Sequence, residues 1–369
     1  MSQPALVIIS DLHLGGGPSA AAWGRGFGDD FAADDAFSDF ICWLSARRAS
    51  RLVLLGDTFD FLRVPVTGPR TGMLARNDKE AIIQLNSIIA AHPGVITALS
   101  AALASGVRVD LVCGNHDAEL VRPAVQERLC ALLGAQVQFH SWILYLPGLL
   151  YAEHGHHHHD INRFARPLYP YVRDSGRLER PPAALLGDLT RLSACPGRLW
   201  RDALTGLRPR PSDRMRAGYL AGLQAHAAKV GLPGAVIAEL HDLATSSLLR
   251  TGRRVVGARL RHSDGPGYLH DAAATISDLM TRSQLGVPYY AFGHSHAAFL
   301  SPLGADAWYL NSGTWSSAAW GRGSARRTWI ELSGGANDEL PAARLFRWAD
   351  GPEALGNGGG GAHNALTEH

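Results

Sequence analysis

The chain has 369 residues, enough for one large domain or two ordinary ones, and 46% hydrophobic against 18% charged residues excludes a disordered chain. Its 41 Gly and 20 Pro follow no collagen-like period, and a formal net charge of +2 sets up no overall field that would recruit nucleic acid or a membrane surface. Lys79 and Lys229 are the only lysines, so the abundance of arginine reflects composition before it reflects phosphate recognition. Cys42, Cys113, Cys130 and Cys195 form no CxxC pair and read as reduced core residues. The chain opens with no basic segment followed by a long apolar one, and no run approaches the ~20 apolar residues of a membrane span. A cytoplasmic protein with no transmembrane segment is expected.

In chain order, Ala5 to Ser10 is a short Val/Ile-rich run ending at Asp11, the pattern of a fully buried parallel strand. Phe37, Phe40, Ile41 and Leu44 recur at helical spacing within Asp34 to Arg48. Arg51 to Gly56 repeats the strand pattern and ends in Gly-Asp. Helices are expected at Glu80 to Ala91 and Val95 to Ala104, on either side of Pro93, and Val107 to Cys113 is a third strand, ending at Gly114-Asn115. This β-α-β alternation argues for an α/β sheet with its ligands at the strand ends. Short strands follow at Val137 to His140, Trp142 to Leu146 and Leu149 to Glu153. From about Ile161 to Met280 the chain becomes helical and rich in Arg, Ala and Leu, before strands resume at Pro288 to Phe292 and Ala307 to Leu310. Gly351 to His369, with five glycines between Gly356 and Gly361, is expected to be a loose tail.

Five segments stand where strands end: Asp11-Leu12-His13, Gly56-Asp57-Thr58-Phe59-Asp60, Gly114-Asn115-His116-Asp117, His154-Gly155-His156 and Gly293-His294-Ser295-His296. Each alone is weak. Together they offer carboxylate, carboxamide and imidazole donors, a mixture that suits divalent ions of intermediate hardness such as Mn, Fe or Zn and does not suit a thiolate zinc site.

In this order the segments read DxH, GDxxD, GNH[DE], His-Gly and GHxH, and on them the chain resembles the calcineurin-like metallophosphoesterase superfamily, from Asp11 to His296. The resemblance implies an α/β fold, a β-sandwich flanked by helices, with a core of 1–160 and 281–350; the change in composition marks 161–280 as a helical insertion or lid with no counterpart in the family, and the glycines mark 351–369 as a flexible tail. It implies two divalent metal ions (Mn, Fe, Zn, Ni or Mg, with Mn first), Asp11, His13 and His296 on one, Asn115, His154 and His294 on the other, and Asp57 bridging both. His116 would be the catalytic acid or transition-state stabiliser and Asp117 would orient its ring. The implied activity is phosphoester hydrolysis by metal-activated water, on a phosphomonoester, phosphodiester or pyrophosphate link. A nuclease acting on nucleic-acid ends and an inactive binding scaffold are the alternatives.

Asp-Leu-His-Leu, Gly-Asp-Thr-Phe-Asp-Phe and Asn311-Ser312-Gly313-Thr314-Trp315 are closest in flavour to the UDP-2,3-diacylglucosamine pyrophosphohydrolase group, which typically carries Arg where this chain has His116. The Asn311 to Trp315 turn would brace the last strand. Asp60 either helps hold a ligand loop or caps the next helix. His156 is expected to line the site and His157 to His159 to lie at the surface. Ile161 to Arg216 carries twelve Arg against five Asp or Glu, a local charge of +7, which would draw an anionic, phosphate-containing substrate beneath a lid. Nucleic acid is a minor partner hypothesis, and the oligomeric state is open.

Overall fold

The computed structural model describes residues 5–17, 29–66, 75–164, 166–168, 170–171, 176–184, 213–245, 267–317, 325–334 and 340–358. Twelve strands are arranged in two sheets. The first has the order β12-β11-β10-β1-β2-β3-β4, with β1 (Leu6–Ile9), β2 (Arg51–Leu55), β3 (Arg108–Val112), β4 (Gln138–His140), β10 (Thr328–Ser333), β11 (Ala342–Trp348) and β12 (Pro352–Gly358). The second has the order β5-β6-β7-β9-β8, with β5 (Ile143–Leu146), β6 (Leu150–Glu153), β7 (Tyr289–Phe292), β8 (Phe299–Leu303) and β9 (Ala307–Asn311). Within them β1 to β4 run parallel, as do β6, β7 and β9.

The apolar runs are continuous because both faces of these strands are covered. Alternate residues of β1 and β2 go to opposite sides: Val7, Ile9, Leu52 and Leu54 meet the helices, while Leu6, Ile8, Val53 and Leu55 meet the second sheet. Four helices, α1 (Asp34–Ala46), α2 (Asp78–Ala91), α3 (Pro93–Ala104) and α4 (Pro123–Leu133), cover the outer face of the first sheet. There Phe40 packs on Trp315 and Trp329, with ring centroids 5.1 and 5.0 Å away. Three more, α5 (Asp213–Val230), α6 (Gly234–Thr245) and α7 (Gly267–Arg282), cover the second sheet. The result is the α/β sandwich flanked by helices that the sequence leads one to expect, in four layers.

Within the described part of the insertion, helices α5 to α7 pack on the second sheet: Leu269, Ala273, Ile276 and Met280 repeat at helical spacing along α7 and are buried with Tyr151, Tyr290, Phe292 and Tyr309. They supply the layer without which that sheet face would be wet. The parts of the insertion at 185–212 and 246–266 lie outside the described residues. The loose tail begins later than expected, because Pro352–Gly358 pairs antiparallel with β11 as β12 and Leu355 packs on the core between the sheets. An added edge strand is held by backbone hydrogen bonds, so a poor side-chain pattern does not prevent it. Residues 359–369 lie outside the described ones. Helix α4 and strands β8, β10, β11 and β12 go beyond the elements expected from the sequence. Among the described residues no single helix is long and apolar enough to cross a membrane.

His92, at the junction of α2 and α3, is 3% exposed and lies between two carboxylates, with Nε2 2.5 Å from Asp29 and Nδ1 2.8 Å from Asp34. Burial works against its charge, but the hydrogen bonds and charges of Asp29 and Asp34 outweigh burial and raise it above the ordinary 6.5. A folded-state value above the unfolded one means that this contribution is complete below about pH 6.5 and is lost as pH rises through the folded value. The urea midpoint of the wild type should therefore fall more steeply over that rise than that of His92→Gln. Parallel profiles would show that the carboxylate pair does not hold the proton.

Candidate metal centre

The five motif loops leave the C-terminal ends of β1, β2, β3, β6 and β7 and meet at one end of the sandwich. Asp11, Asp57, Asn115 and His154 are almost wholly buried, at 0, 1, 3 and 1% exposure, while His116 and His294 are half-buried at the rim. Donor atoms of Asp11, His13 and His296 lie within 4.8 Å of one another, as do those of Asp57, His154 and His294. Between these groups, Nε2 of His154 is 3.1 Å from Asp57 Oδ2, and Nε2 of His13 is 3.8 Å from both Asp11 Oδ1 and Asp57 Oδ2. Asp57 is thus placed between the two halves. A third grouping joins His13, Asp57 and His116.

Backbone conformation shows how much the loops are constrained. Asp11, His13, Asp57, His294 and His296 have φ of 54, 56, 51, 65 and 58°, five of the nine non-glycine residues with positive φ among those described. Each such conformation costs on the order of 1–3 kcal/mol and persists only where its surroundings enforce it. The glycines ahead of the ligands permit close approach. A Cβ on Gly114 would stand 2.1 Å from Asp57 Oδ1, and one on Gly56, whose φ is 85°, would stand 2.4 Å from the His154 ring.

Donor chemistry fits a pair of divalent ions. Within the described residues, Asp11 Oδ1, Asn115 Oδ1, His154 Nε2 and His296 Nδ1 are buried and make no hydrogen bond. Leaving such atoms unpaired is costly unless a cation takes their lone pairs. The carboxylates are ionised for this: burial alone would raise Asp11, yet the rings of His296, His154 and His13 hold it well below the usual carboxylate range. Asp57 is lowered likewise, His154 and His116 prevailing over burial. Nδ1 of His154 is 2.8 Å from the carbonyl of Leu55, which fixes that ring and aims Nε2 inward.

The role of one neighbour, Asp117, differs from expectation. Asp117 does not touch the His116 ring. Its carboxylate accepts from the backbone N–H of Gly114 at 2.6 Å and of Thr58 at 2.8 Å, tying the second and third motif loops together. Burial and the Asp57 charge push it up to about 7 against those hydrogen bonds. Asp60 orients the ring instead, with His116 Nδ1 2.9 Å from its Oδ1 and His13 Nδ1 3.4 Å from its Oδ2. Asp60 makes no side-chain cap on the 3-10 turn Phe61–Arg63, which settles its two readings in favour of the ligand loop. Reach decides the exchange: Asp117 is drawn under the loop by three backbone amides, whereas Asp60 lies across from the ring.

The histidine run is not a surface feature. His156 and His157 are each 2% exposed, His158 Nε2 is 2.6 Å from Glu153, and His159 Nδ1 is 3.2 Å from His294 Nε2. The chain turns at Gly155, φ 102°, and passes beneath α6 and α7, which cover the run. His156 faces this interior, with neither ring nitrogen hydrogen-bonded. Asn311 braces as expected: its Nδ2 donates to Gly293 O at 2.9 Å, and Thr314 Oγ1 donates to Asp11 O at 2.9 Å. In the part of the arginine-rich stretch that is described, Arg163, Arg166 and Arg180 pair with Asp160, Glu179 and Glu119. Those guanidinium groups are committed to carboxylates, which weakens the case for an anion-attracting lid there.

No protein-family model matches the chain, and no curated protein sequence does. Solved structures with a similar backbone include a dimetal phosphatase from Danio rerio, LOC 393393, at 13% identity and a TM-score of 0.40, the alignment covering 96% of this chain and 98% of that one. TT1561 of Thermus thermophilus aligns at 9% identity and a TM-score of 0.33 over 89% of this chain and 93% of its own. Phosphopantetheinyl hydrolase (PptH) from Mycobacterium tuberculosis aligns at 14% identity and a TM-score of 0.28, over 84% and 90%.

Proposed function

We propose that this protein is a hydrolase of phosphate esters that depends on two divalent metal ions. The observation that carries the reading is the pair of His/Asp clusters with Asp57 between them, lined by buried donor atoms that no hydrogen bond satisfies. Asp11, His13 and His296 would hold one ion, Asn115, His154 and His294 the other, and Asp57 both. Ions so held would polarise phosphoryl oxygens and lower the pKa of water into the neutral range.

The chain's own residues supply the rest. His116 is half-buried, with 27% of its side chain exposed, so it can meet a substrate that the buried ligands cannot. Its Nδ1–H donates to Asp60, whose carboxyl burial would raise but which the electrostatic attraction of the His116 ring and the hydrogen bond hold well below the ordinary range. Nε2 is then the atom that can give a proton to the departing oxygen. The substrate is a phosphomonoester, phosphodiester or pyrophosphate, and Mn is the first ion to try, given the mixed oxygen and nitrogen donors.

The test is reconstitution. Metal-free protein should bind about two ions per chain and gain activity against a panel of phosphate mono- and diesters with Mn, Fe, Zn, Ni or Mg added separately. Saturation at a single ion, or full activity in the metal-free protein, would sink the reading.

A further inference from the structure

We propose that Arg63 is a positioning residue of this site: forked on Asp30, it fixes the carboxylate of Asp60 and through it the ring of His116, an inference that rests on the hydrolase reading above. Arg63 and Asp30 both lie outside the five motif segments. Arg63 ends the 3-10 turn Phe61–Arg63, which Asp60 directly precedes, and because three residues make one turn of such a helix, positions 60 and 63 come to the same side. Arg63 Nη1 donates to Asp30 Oδ1 at 2.7 Å and Nη2 lies 2.6 Å from Asp30 Oδ2, while Nε faces Asp60 Oδ2 at 3.3 Å. Asp30 is itself anchored. Its carbonyl accepts from Ser316 Oγ at 3.2 Å and Ser317 Oγ at 2.6 Å, beside the turn whose Trp315 and Ser316 amides donate to Asp11 O.

The backbone of His116 is already pinned, its N–H on Asp57 Oδ1 at 2.8 Å and its carbonyl accepting from the N–H of Phe61 at 3.2 Å. The ring still has to be fixed, and Asp60 meets it with Oδ1 2.9 Å from Nδ1. Asp60 Oδ2 is buried without a hydrogen bond and stands between Arg63 Nε at 3.3 Å and His13 Nδ1 at 3.4 Å. A carboxylate is rigid, so turning Oδ2 toward His13 would carry Oδ1 off His116. The guanidinium is a planar fork locked on Asp30; it opposes that turn, and its pull on a buried oxygen is little screened. Each of the Arg63 nitrogens faces a carboxylate, and only 23% of the side chain is exposed, so its charge is spent within this frame and not on a substrate.

A double-mutant cycle on the Mn-loaded, full-length protein tests this. Arg63→Met, which removes the charge and keeps the bulk, should retain the metal content of the wild type. Its kcat should fall roughly 10–100-fold on alkyl phosphates, with KM little changed and a smaller loss on 4-nitrophenyl esters. Arg63→Lys, which keeps a cation between the two carboxylates, should recover part of that loss, and Asp30→Asn, which loosens the fork, should show part of it. In the His116→Ala background Arg63→Met should cost nothing further, because the ring it positions is gone. An equal loss in that background would make Arg63 merely structural, a drop in bound metal would make it a brace for His13, and a raised KM with kcat unchanged would make it a substrate contact; each overturns the proposal. Ring signals of His116 in the Zn-loaded protein, identified in nitrogen-edited NMR spectra by their absence from His116→Ala, report the positioning without turnover. They should shift or broaden in Arg63→Met, and signals that stay in place would overturn the proposal. If they move in a protein that hydrolyses no ester of the panel, the hydrolase reading falls and the positioning by Arg63 stands.

Discussion

Asp57→Asn should abolish hydrolysis and strip the protein of most of its bound metal, the largest loss expected of any single substitution. The carboxylate belongs to two of the three clusters of donor atoms, and at 1% exposure it is shut off from solvent. Its Oδ2 lies 3.1 Å from His154 Nε2, while its Oδ1 accepts from the backbone N–H of His116 at 2.8 Å. An amide of the same shape keeps the packing but removes the negative charge shared by both pockets. The lost electrostatic stabilisation is several kcal/mol, or at least about 10³-fold in rate. Metal analysis on the purified variant and assays at saturating Mn check this directly. A variant that retained two ions and the wild-type rate would remove Asp57 from the bridging position.

His116→Ala should keep its metals and lose about 10²–10⁴-fold in rate on esters with poor leaving groups, the range for a positioned proton donor. Aryl phosphates, whose leaving oxygen needs little protonation, should suffer less. The geometry also permits a competing outcome, since His116 shares a cluster with His13 and Asp57, and its ring stands edge-on to that of His13 at 4.6 Å. Metal content decides between them: a drop in bound metal would make His116 a ligand, and equal losses on both classes of ester would make it a positioning group. Asp60→Asn should reproduce part of the defect, because it alters the acceptor 2.9 Å from Nδ1 that sets which nitrogen faces the substrate.

Much of this arrangement is written locally. Strands β1, β2 and β3 are legible as apolar runs because a strand buried on both faces needs apolar residues at every position, and each run stops at the polar residue that begins a motif loop. The glycines are legible for a similar reason: Gly56 and Gly114 precede ligands because no Cβ fits against His154 or Asp57. Strands such as β11 are harder to read. Its residues alternate between buried and exposed with interruptions, and β12, which takes the sheet edge beside it, offers Leu355 to the core among Pro, Gly and Asn, so that backbone hydrogen bonds do most of the joining. Helix α4 follows the third motif after a 3-10 turn over Ala118–Val121 and opens at Pro123, with no side-chain cap to announce it.

What the sequence by itself determined is the donor inventory and its order: carboxylates, one carboxamide and imidazoles at the ends of successive strands, on a chain whose strands alternate with helices. Ligand types follow from residue types, and a motif loop at a strand end is a local matter. Tertiary structure alone decided which polar group serves which. Asp117, adjacent to His116, spends its carboxylate on the backbone of Gly114, Thr58 and Phe59, while Asp60, 56 positions away, takes the ring. The histidine run, polar enough to suggest a surface, lies under α6 and α7, with His156 and His157 buried and His158 and His159 half-buried, and His159 comes to within 3.2 Å of His294, 135 positions later in the chain. Hydrogen bonds depend on distances of about 3 Å and on direction, and no pattern along the chain encodes separations of that size between loops that only the packing of two sheets brings together.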